Sequence, residues 1–141
     1  MSSNIGAGRP DRRSEAREMA LGLLYEASTK DIDPRRVVEA QIVPVDSDVE
    51  SLVAGVADRV QEIDSLIERF ATGWSIDRMP AIDVLVLRLA IYELLARPDV
   101  PTAVVLDAAV ELAKTFSTDD SGRFVNGVLA SVAKDPHVRG Q

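Results

Sequence analysis

The stretch PAIDVLVLRLAIYELLAR, from Pro80 to Arg97, decides the fold of this chain. It starts with a proline, which suits the first turn of a helix, and a second proline, Pro98, follows its last residue. Both ends of one long helix are therefore marked. The three charged residues in its interior are spaced by five and are scattered around the helix axis, so the segment is apolar on nearly every side. A helix of this kind is buried at the centre of a protein. The three charged residues are Asp83, Arg88 and Glu93.

Charges inside a buried helix need partners, because an unpaired buried charge is costly. Glu93 can pair with Arg97 one turn later, and Asp83 lies near the positive N-terminal end of the helix. Arg88 has no partner on its own helix, so we expect it to pair with a carboxylate from another segment. Three charges spread through the segment also make a core helix a better interpretation than a membrane span.

The composition predicts one small globular domain with an aliphatic core. The chain has 141 residues, of which 46% are hydrophobic and only 4% aromatic. It has no cysteine, which excludes disulfides, thiolate metal sites and cysteine nucleophiles. The first residues, MSSNIGAG, lack the apolar core of a signal peptide, so we expect a cytoplasmic protein. A net charge of −7 argues against general attraction to nucleic acids or anionic membranes.

No segment shows the alternating pattern of a strand, so the fold class is predicted to be all-α, with six or seven helices around a central buried helix at about 80–97. Residues 1–10 are expected to be a disordered tail, 11–135 the helical domain, and 136–141 a flexible C-terminal tail. A long apolar pattern at 47–70 suggests a break near Ile63 and Asp64. We expect Trp74 to fill the core beside the central helix, and Gly127 to mark close approach to another helix. The remaining predicted helices cover about 11–29, 34–40, 102–116 and 121–134.

Residues that could carry out catalysis are scarce. His137 is the only histidine and lies in a polar segment, where an idle exposed imidazole is the better interpretation. The phosphate-binding patterns GxGxxG and GxxxxGK[ST] are absent. Asp119 and Asp120 lack the ligand spacing of a calcium site and are better explained as an N-terminal cap of the last helix. We therefore predict no enzyme activity, no metal and no cofactor.

Two features point to binding instead. Arg12, Arg13 and Arg17 give an acidic protein a basic edge, and the spacing places Arg13 and Arg17 together on the outer side of the first helix. Such a group is either a solvated face or a nucleic-acid contact. Arg123 and Phe124 combine a cation with an aromatic ring at the start of the last helix, which suits phosphate contact with base stacking. The alternative is that Phe124 packs in the core and Arg123 faces solvent.

Several short strings occur in a specific order and spacing. They are ARE at Ala16 to Glu18, LRLAIYELL at Leu87 to Leu95, DVP at Asp99 to Pro101, AVELAK at Ala109 to Lys114 and DDSGRFVNGVL at Asp119 to Leu129. Together these strings resemble the NusB family of bacterial transcription antitermination factors. The resemblance covers roughly Arg12 to Val132, and FVNGVL is its most distinctive part.

The resemblance implies two packed three-helix units without catalysis. It implies binding of boxA RNA, a single-stranded element of nascent ribosomal RNA transcripts, together with NusE, a small-subunit ribosomal protein, in the antitermination complex of RNA polymerase. By position it assigns RNA contact to Arg12, Arg13, Arg17, Arg123 and Phe124. By position it assigns NusE contact to Tyr25, Asp83 and Asp120.

Two other possibilities stay open at this point. The chain could be a helical protein-binding adaptor of the same fold, related to the domain fused to ribosomal RNA cytosine methyltransferases. An apolar helical surface also allows, without requiring, a homodimer.

Overall fold

A computed structural model describes residues 12–141 as α-helices joined by short connections, with no strand in that range, which confirms the all-α class. The predicted tail at 1–10 lies outside the described residues. A single 3-10 turn covers Ile76–Arg78. The helices are α1 (Arg12–Lys30), α2 (Pro34–Glu39), α3 (Ser47–Asp58), α4 (Val60–Phe70), α5 (Ala81–Ala96), α6 (Thr102–Phe116) and α7 (Asp119–Lys134).

The central helix is α5, as the sequence predicts. It packs against α1, α3, α4, α6 and α7, and Val86, Leu87 and Ile91 are completely buried. Because neighbours surround it, α5 needs no polar face, which explains its nearly uniform apolar sequence. No helix within residues 12–141 is both long enough and apolar enough to cross a membrane.

The other helices form two groups around α5. Helices α1, α2 and α3 pack on one another, and α6 and α7 pack on each other and on α5, which confirms the expected three-helix units. Helix α4 lies against α5 and α7 and so joins the second group.

The break in the long apolar segment lies at Arg59, between α3 and α4, and not near Ile63 as predicted. The chain has to turn there because α3 packs with the first group while α4 packs with the second. Asp64 therefore does not cap a helix. Its two carboxylate oxygens accept hydrogen bonds from Arg88 Nε and Nη2, each at 2.8 Å. The prediction that Arg88 pairs with a distant carboxylate is confirmed, although both side chains remain partly exposed.

Helix α2 begins as the sequence indicates. The Asp33 carboxylate accepts the backbone N–H of Arg35 at 2.9 Å, and Pro34 occupies the first helical position. The hydrogen bond from the Arg35 guanidinium lowers the pKa of the Asp33 carboxyl from its ordinary value.

Helix α7 begins two residues earlier than predicted, and its cap is different. The Thr118 hydroxyl accepts the backbone N–H of Ser121 at 3.0 Å, so Thr118 is the N-cap. Asp119 and Asp120 are the first two residues of the helix, where their charges suit the positive end of the helix dipole.

The prediction that Gly127 marks a close helix approach is wrong, whereas Gly55 and Gly122 do lie close to a neighbouring helix. A Cβ atom added to Gly55 would lie 2.1 Å from Cζ of Tyr92, so a side chain there would require the Tyr92 ring of α5 to move. A Cβ atom added to the exposed Gly127 would meet nothing within 4 Å.

The segment 136–141 is held against the helices, in contrast to the flexible tail that we expected. Arg139 donates hydrogen bonds to the carbonyls of Leu94 at 3.1 Å, Arg97 at 2.7 Å and Val100 at 2.6 Å. A cation placed on the last carbonyls of α5 satisfies acceptors that a helix leaves unpaired at its C-terminus. These contacts are long-range in the sequence, so local composition does not reveal them.

Candidate nucleic-acid interface

Arg12 and Arg13 occupy the first turn of α1 and are both exposed. Arg13 Nη2 lies 3.0 Å from Asp99 Oδ2, but these side chains are 46% and 69% exposed. An ion pair in solvent contributes little, because water competes for both charges. The guanidinium of Arg13 can therefore exchange this carboxylate for a phosphate at small cost.

Arg17 does not share that surface, so its predicted outward position is wrong. Its Nε and Nη2 donate to the two carboxylate oxygens of Glu93 at 2.7 and 3.0 Å, and the two side chains are only 5% and 3% exposed. Glu93 therefore pairs with Arg17 on α1. Its spacing in the sequence had suggested Arg97 as the partner, and that prediction is wrong. Glu93 is buried against α1, where Arg17 can reach both of its oxygens. Arg17 cannot contact a phosphate without leaving Glu93 unpaired.

Arg123 and Asp120 lie on the outer side of the first turns of α7. Arg123 Nη2 is 2.6 Å from Asp120 Oδ1, and both side chains are more than four-fifths exposed. Asp120 is thus free for contact with a partner, as the resemblance requires, and is not the cap of the helix.

Phe124 is partly buried and packs against the core, so neither of the two sequence interpretations describes it fully. Its ring meets the ring of Trp74 in an edge-to-face contact, with centroids 6.0 Å apart and planes at 65°. Trp74 is 51% exposed, so the prediction that it fills the core is wrong. Its position between Gly73 and Ser75 in a polar connection was the available signal for exposure.

Helix α6 lies between the arginine end of α1 and the start of α7. Asp107 and Glu111 line both a groove shared with Arg17 of α1 and a groove shared with Arg123 of α7. These carboxylates repel phosphates, so the cations on the two sides of α6 form two small basic areas and not one continuous surface.

The residues assigned to a protein partner separate into two classes. Tyr25 on α1 is 44% exposed, and Asp120 is open to solvent as described above. Asp83 is only 2% exposed, and its Oδ1 has no hydrogen-bond partner among residues 12–141. Asp83 is therefore buried in this structure, although Pro80 and Ala81 just before it are exposed, and its assignment to NusE stays a prediction.

The part of the chain that the structure describes contains no group of three or more histidine, cysteine or acidic residues that could hold a metal ion. His137 is exposed, and its backbone N–H donates a hydrogen bond to Asp135 Oδ1 at 2.8 Å.

The model of the NusB family matches residues 14–134. The chain belongs to the NusB family. The transcription antitermination protein NusB of Acidothermus cellulolyticus is 48% identical over 124 residues, which cover 85% of this chain and 86% of that protein. The NusB protein of Saccharopolyspora erythraea is 49% identical over 127 residues and covers 86% of each chain.

Solved structures of the NusB family share the fold. NusB of T. maritima superposes with a TM-score of 0.82 at 32% identity, covering 94% of this chain and 96% of that one. A crystal structure of the antitermination factors NusB and NusE in complex with double-stranded RNA gives a TM-score of 0.73 at 31% identity, covering 86% and 96%. NusB proteins are non-catalytic factors in transcription antitermination, so this chain is an antitermination factor and not an enzyme.

Proposed function

We propose that this NusB-family chain binds boxA-type single-stranded RNA of nascent ribosomal RNA transcripts together with NusE, within the antitermination complex of RNA polymerase. The observation that carries the proposal is that two consecutive residues near the start of α7 are an exposed cation, Arg123, and a partly exposed aromatic ring, Phe124. Unpaired bases are recognised by stacking on aromatic rings, with cations on the neighbouring phosphates. A structurally similar NusB protein has been crystallised with NusE and RNA.

The cations that contact phosphates are Arg12, Arg13 and Arg123. The last two already bind carboxylates in solvent, Asp99 and Asp120, so phosphate can replace these partners without burying a bare charge. Arg17 contributes indirectly, since its ion pair with Glu93 fixes α1 on α5 and so determines where Arg13 projects.

Few phosphate contacts on an acidic protein give modest affinity. The net charge of −7 and the carboxylates of α6 both oppose a polyanion, so the RNA has to be held partly by a second protein. NusE supplies that second set of contacts, and linking two weak sites raises the overall affinity. Tyr25 and Asp120 are the exposed candidates for its docking surface, because a half-exposed aromatic ring is a typical anchor of a protein interface.

The test is fluorescence anisotropy of labelled boxA-like RNA, with and without NusE, at several salt concentrations. In this assay we expect weaker RNA binding by two variants, the double variant Arg12→Ala/Arg13→Ala and the single variant Arg123→Ala. Each lost phosphate contact should also reduce the slope of log affinity against log salt by about 0.7. Arg36→Ala is the matched control, because Arg36 is an exposed arginine on α2, away from both basic areas.

Unchanged affinity and slope in both arginine variants would show that these cations are only a solvated face. If the wild-type chain binds NusE but no RNA, alone or in the complex, the protein-binding adaptor is the correct function.

A further inference from the structure

Trp74 is the only tryptophan of the chain, and half of its surface is open to solvent. A single exposed apolar residue needs no explanation by itself. This one differs because its ring is in contact with Phe124, the aromatic residue of the proposed RNA site.

The position of Trp74 is fixed by the backbone around it. The backbone N–H of Trp74 donates to the Ala71 carbonyl at 3.0 Å, directly after α4. The preceding residue, Gly73, has a φ of 83°, a conformation that favours glycine. On its other side, the Arg78 N–H donates to the Ser75 carbonyl at 3.0 Å and closes the 3-10 turn. These bonds hold the backbone, and the contact with Phe124 restrains the ring, so Trp74 loses less conformational freedom under a ligand than an unrestrained side chain would.

The geometry of the two rings leaves aromatic surface uncovered. With the ring planes at 65°, one ring presents its edge to the other, so the contact does not cover the ring faces as parallel stacking would. Phe124 is partly buried while Trp74 is half exposed, so much of the accessible aromatic surface of the pair belongs to the indole. The exposed Arg123 guanidinium belongs to the residue before Phe124, so a cation lies on the neighbouring face of α7.

We propose that Trp74 is a base-stacking residue, and that Trp74 and Phe124 together form a two-ring platform for an unpaired base of the bound RNA. The inference rests on the proposed function and extends its site from α7 to the connection between α4 and α5. An RNA base fits this surface because it offers a flat aromatic face that can stack on the exposed part of the two rings. Loss of one stacked base is expected to reduce affinity by about 5- to 150-fold.

Because no other tryptophan is present, the indole emission of the isolated protein reports on this ring alone. We would titrate the protein with unlabelled boxA-like RNA, follow tryptophan emission, and measure anisotropy of the labelled RNA under the same conditions. The expected result is quenching that saturates along the anisotropy curve. Trp74→Ala should weaken RNA binding by the factor above at an unchanged melting temperature, and Trp74→Phe should restore most of the affinity. Ile42→Ala, which removes another exposed apolar side chain, should bind as wild type does.

The outcomes separate this inference from the proposed function. If the wild-type protein binds RNA in the anisotropy assay without any change in tryptophan emission, the inference is overturned and the proposed function stays intact. The same holds if the wild-type emission is quenched but Trp74→Ala binds RNA with normal affinity. A loss of NusE affinity in Trp74→Ala with unchanged RNA affinity also overturns it, because the ring then serves the protein partner. Absence of RNA binding by the wild-type protein, alone and with NusE, overturns both. If Trp74→Ala fails to fold, the emission of the wild type and the affinity of Trp74→Phe still decide the question.

Discussion

Arg13 and Arg17 show how two identical residues, one helical turn apart, come to serve different purposes. The Arg13 side chain is half exposed and pairs in solvent, whereas the Arg17 side chain is buried and clamps Glu93 with two hydrogen bonds. Two residues four positions apart on a helix differ by about 40° around its axis. When they lie at the border of the buried face, one of them can therefore be buried while the other is exposed. What decides between them here is Glu93, a buried carboxylate that requires a cation.

At this scale we predict that Arg17→Ala lowers the free energy of unfolding by about 3–5 kcal/mol, because Glu93 remains buried without a partner. Arg13→Ala, its matched control, should lower it by less than about 1 kcal/mol, since an exposed pair contributes little. Urea unfolding of both variants measures the difference. The double variant Arg17→Met/Glu93→Leu should recover most of the stability, because replacing both charges leaves nothing unpaired. Equal stability of the two single variants would show that water reaches Glu93 in solution.

At the scale of helices, α5 packs against α1, α3, α4, α6 and α7. At its contact with α3, Gly55 faces the ring of Tyr92. Gly127, one of the two glycines of α7, faces open space although it too lies inside a helix. A glycine inside a helix can therefore either make room for a neighbouring helix or face open space. Only the position of the neighbouring helix tells which of the two applies.

This difference predicts opposite effects of one substitution at two positions. Gly55→Ala should lower the free energy of unfolding by about 1–3 kcal/mol, because the added methyl group overlaps the Tyr92 ring and something has to shift. Gly127→Ala should raise it by about 0.5–1 kcal/mol, because alanine restricts the unfolded chain and favours the helix. Thermal unfolding of the two variants checks both signs. If Gly55→Ala is as stable as wild type, the partly exposed Tyr92 ring swings away without cost.

At the scale of the whole molecule, our proposal assigns the two partners to different parts of the same helical domain. Arg12 and Tyr25 are both on α1, and thirteen residues of helix separate them by roughly 20 Å. RNA and NusE can therefore occupy α1 at the same time without competing for one patch. Asp120 and Arg123 lie within one turn of α7, so in our proposal the two ligands come closest to each other there.

We predict that Tyr25→Ala weakens NusE binding by about 1–3 kcal/mol, since an exposed aromatic ring is the usual anchor of such an interface. The affinity of the isolated protein for boxA-like RNA should stay unchanged. Calorimetry with NusE and anisotropy with RNA give the two values separately, and Ile32→Ala removes a similarly exposed apolar side chain as a control. A variant with full NusE affinity would place the docking surface elsewhere.

Much of the architecture was predictable because it follows from local patterns. The apolar sequence between Pro80 and Pro98 predicts the central helix, and Asp33 followed by Pro34 predicts the start of α2. The bend between α3 and α4 was misplaced because its position depends on which helices the two parts contact. Trp74 was assigned to the core because its size suggests burial, although its surroundings in the sequence are polar.

The sequence by itself determined the all-α class, the central helix, the need of Arg88 for a distant carboxylate and the membership of a family. These follow from periodicity, capping chemistry and ordered motifs, all of which act over a few residues. Only the tertiary structure decided that Arg17 is buried, that Asp83 is covered, that Arg139 caps α5 and that Trp74 lies against Phe124. Each of these depends on residues far apart in the chain, and the energy of a buried charge or an aromatic contact is set by what surrounds it in space.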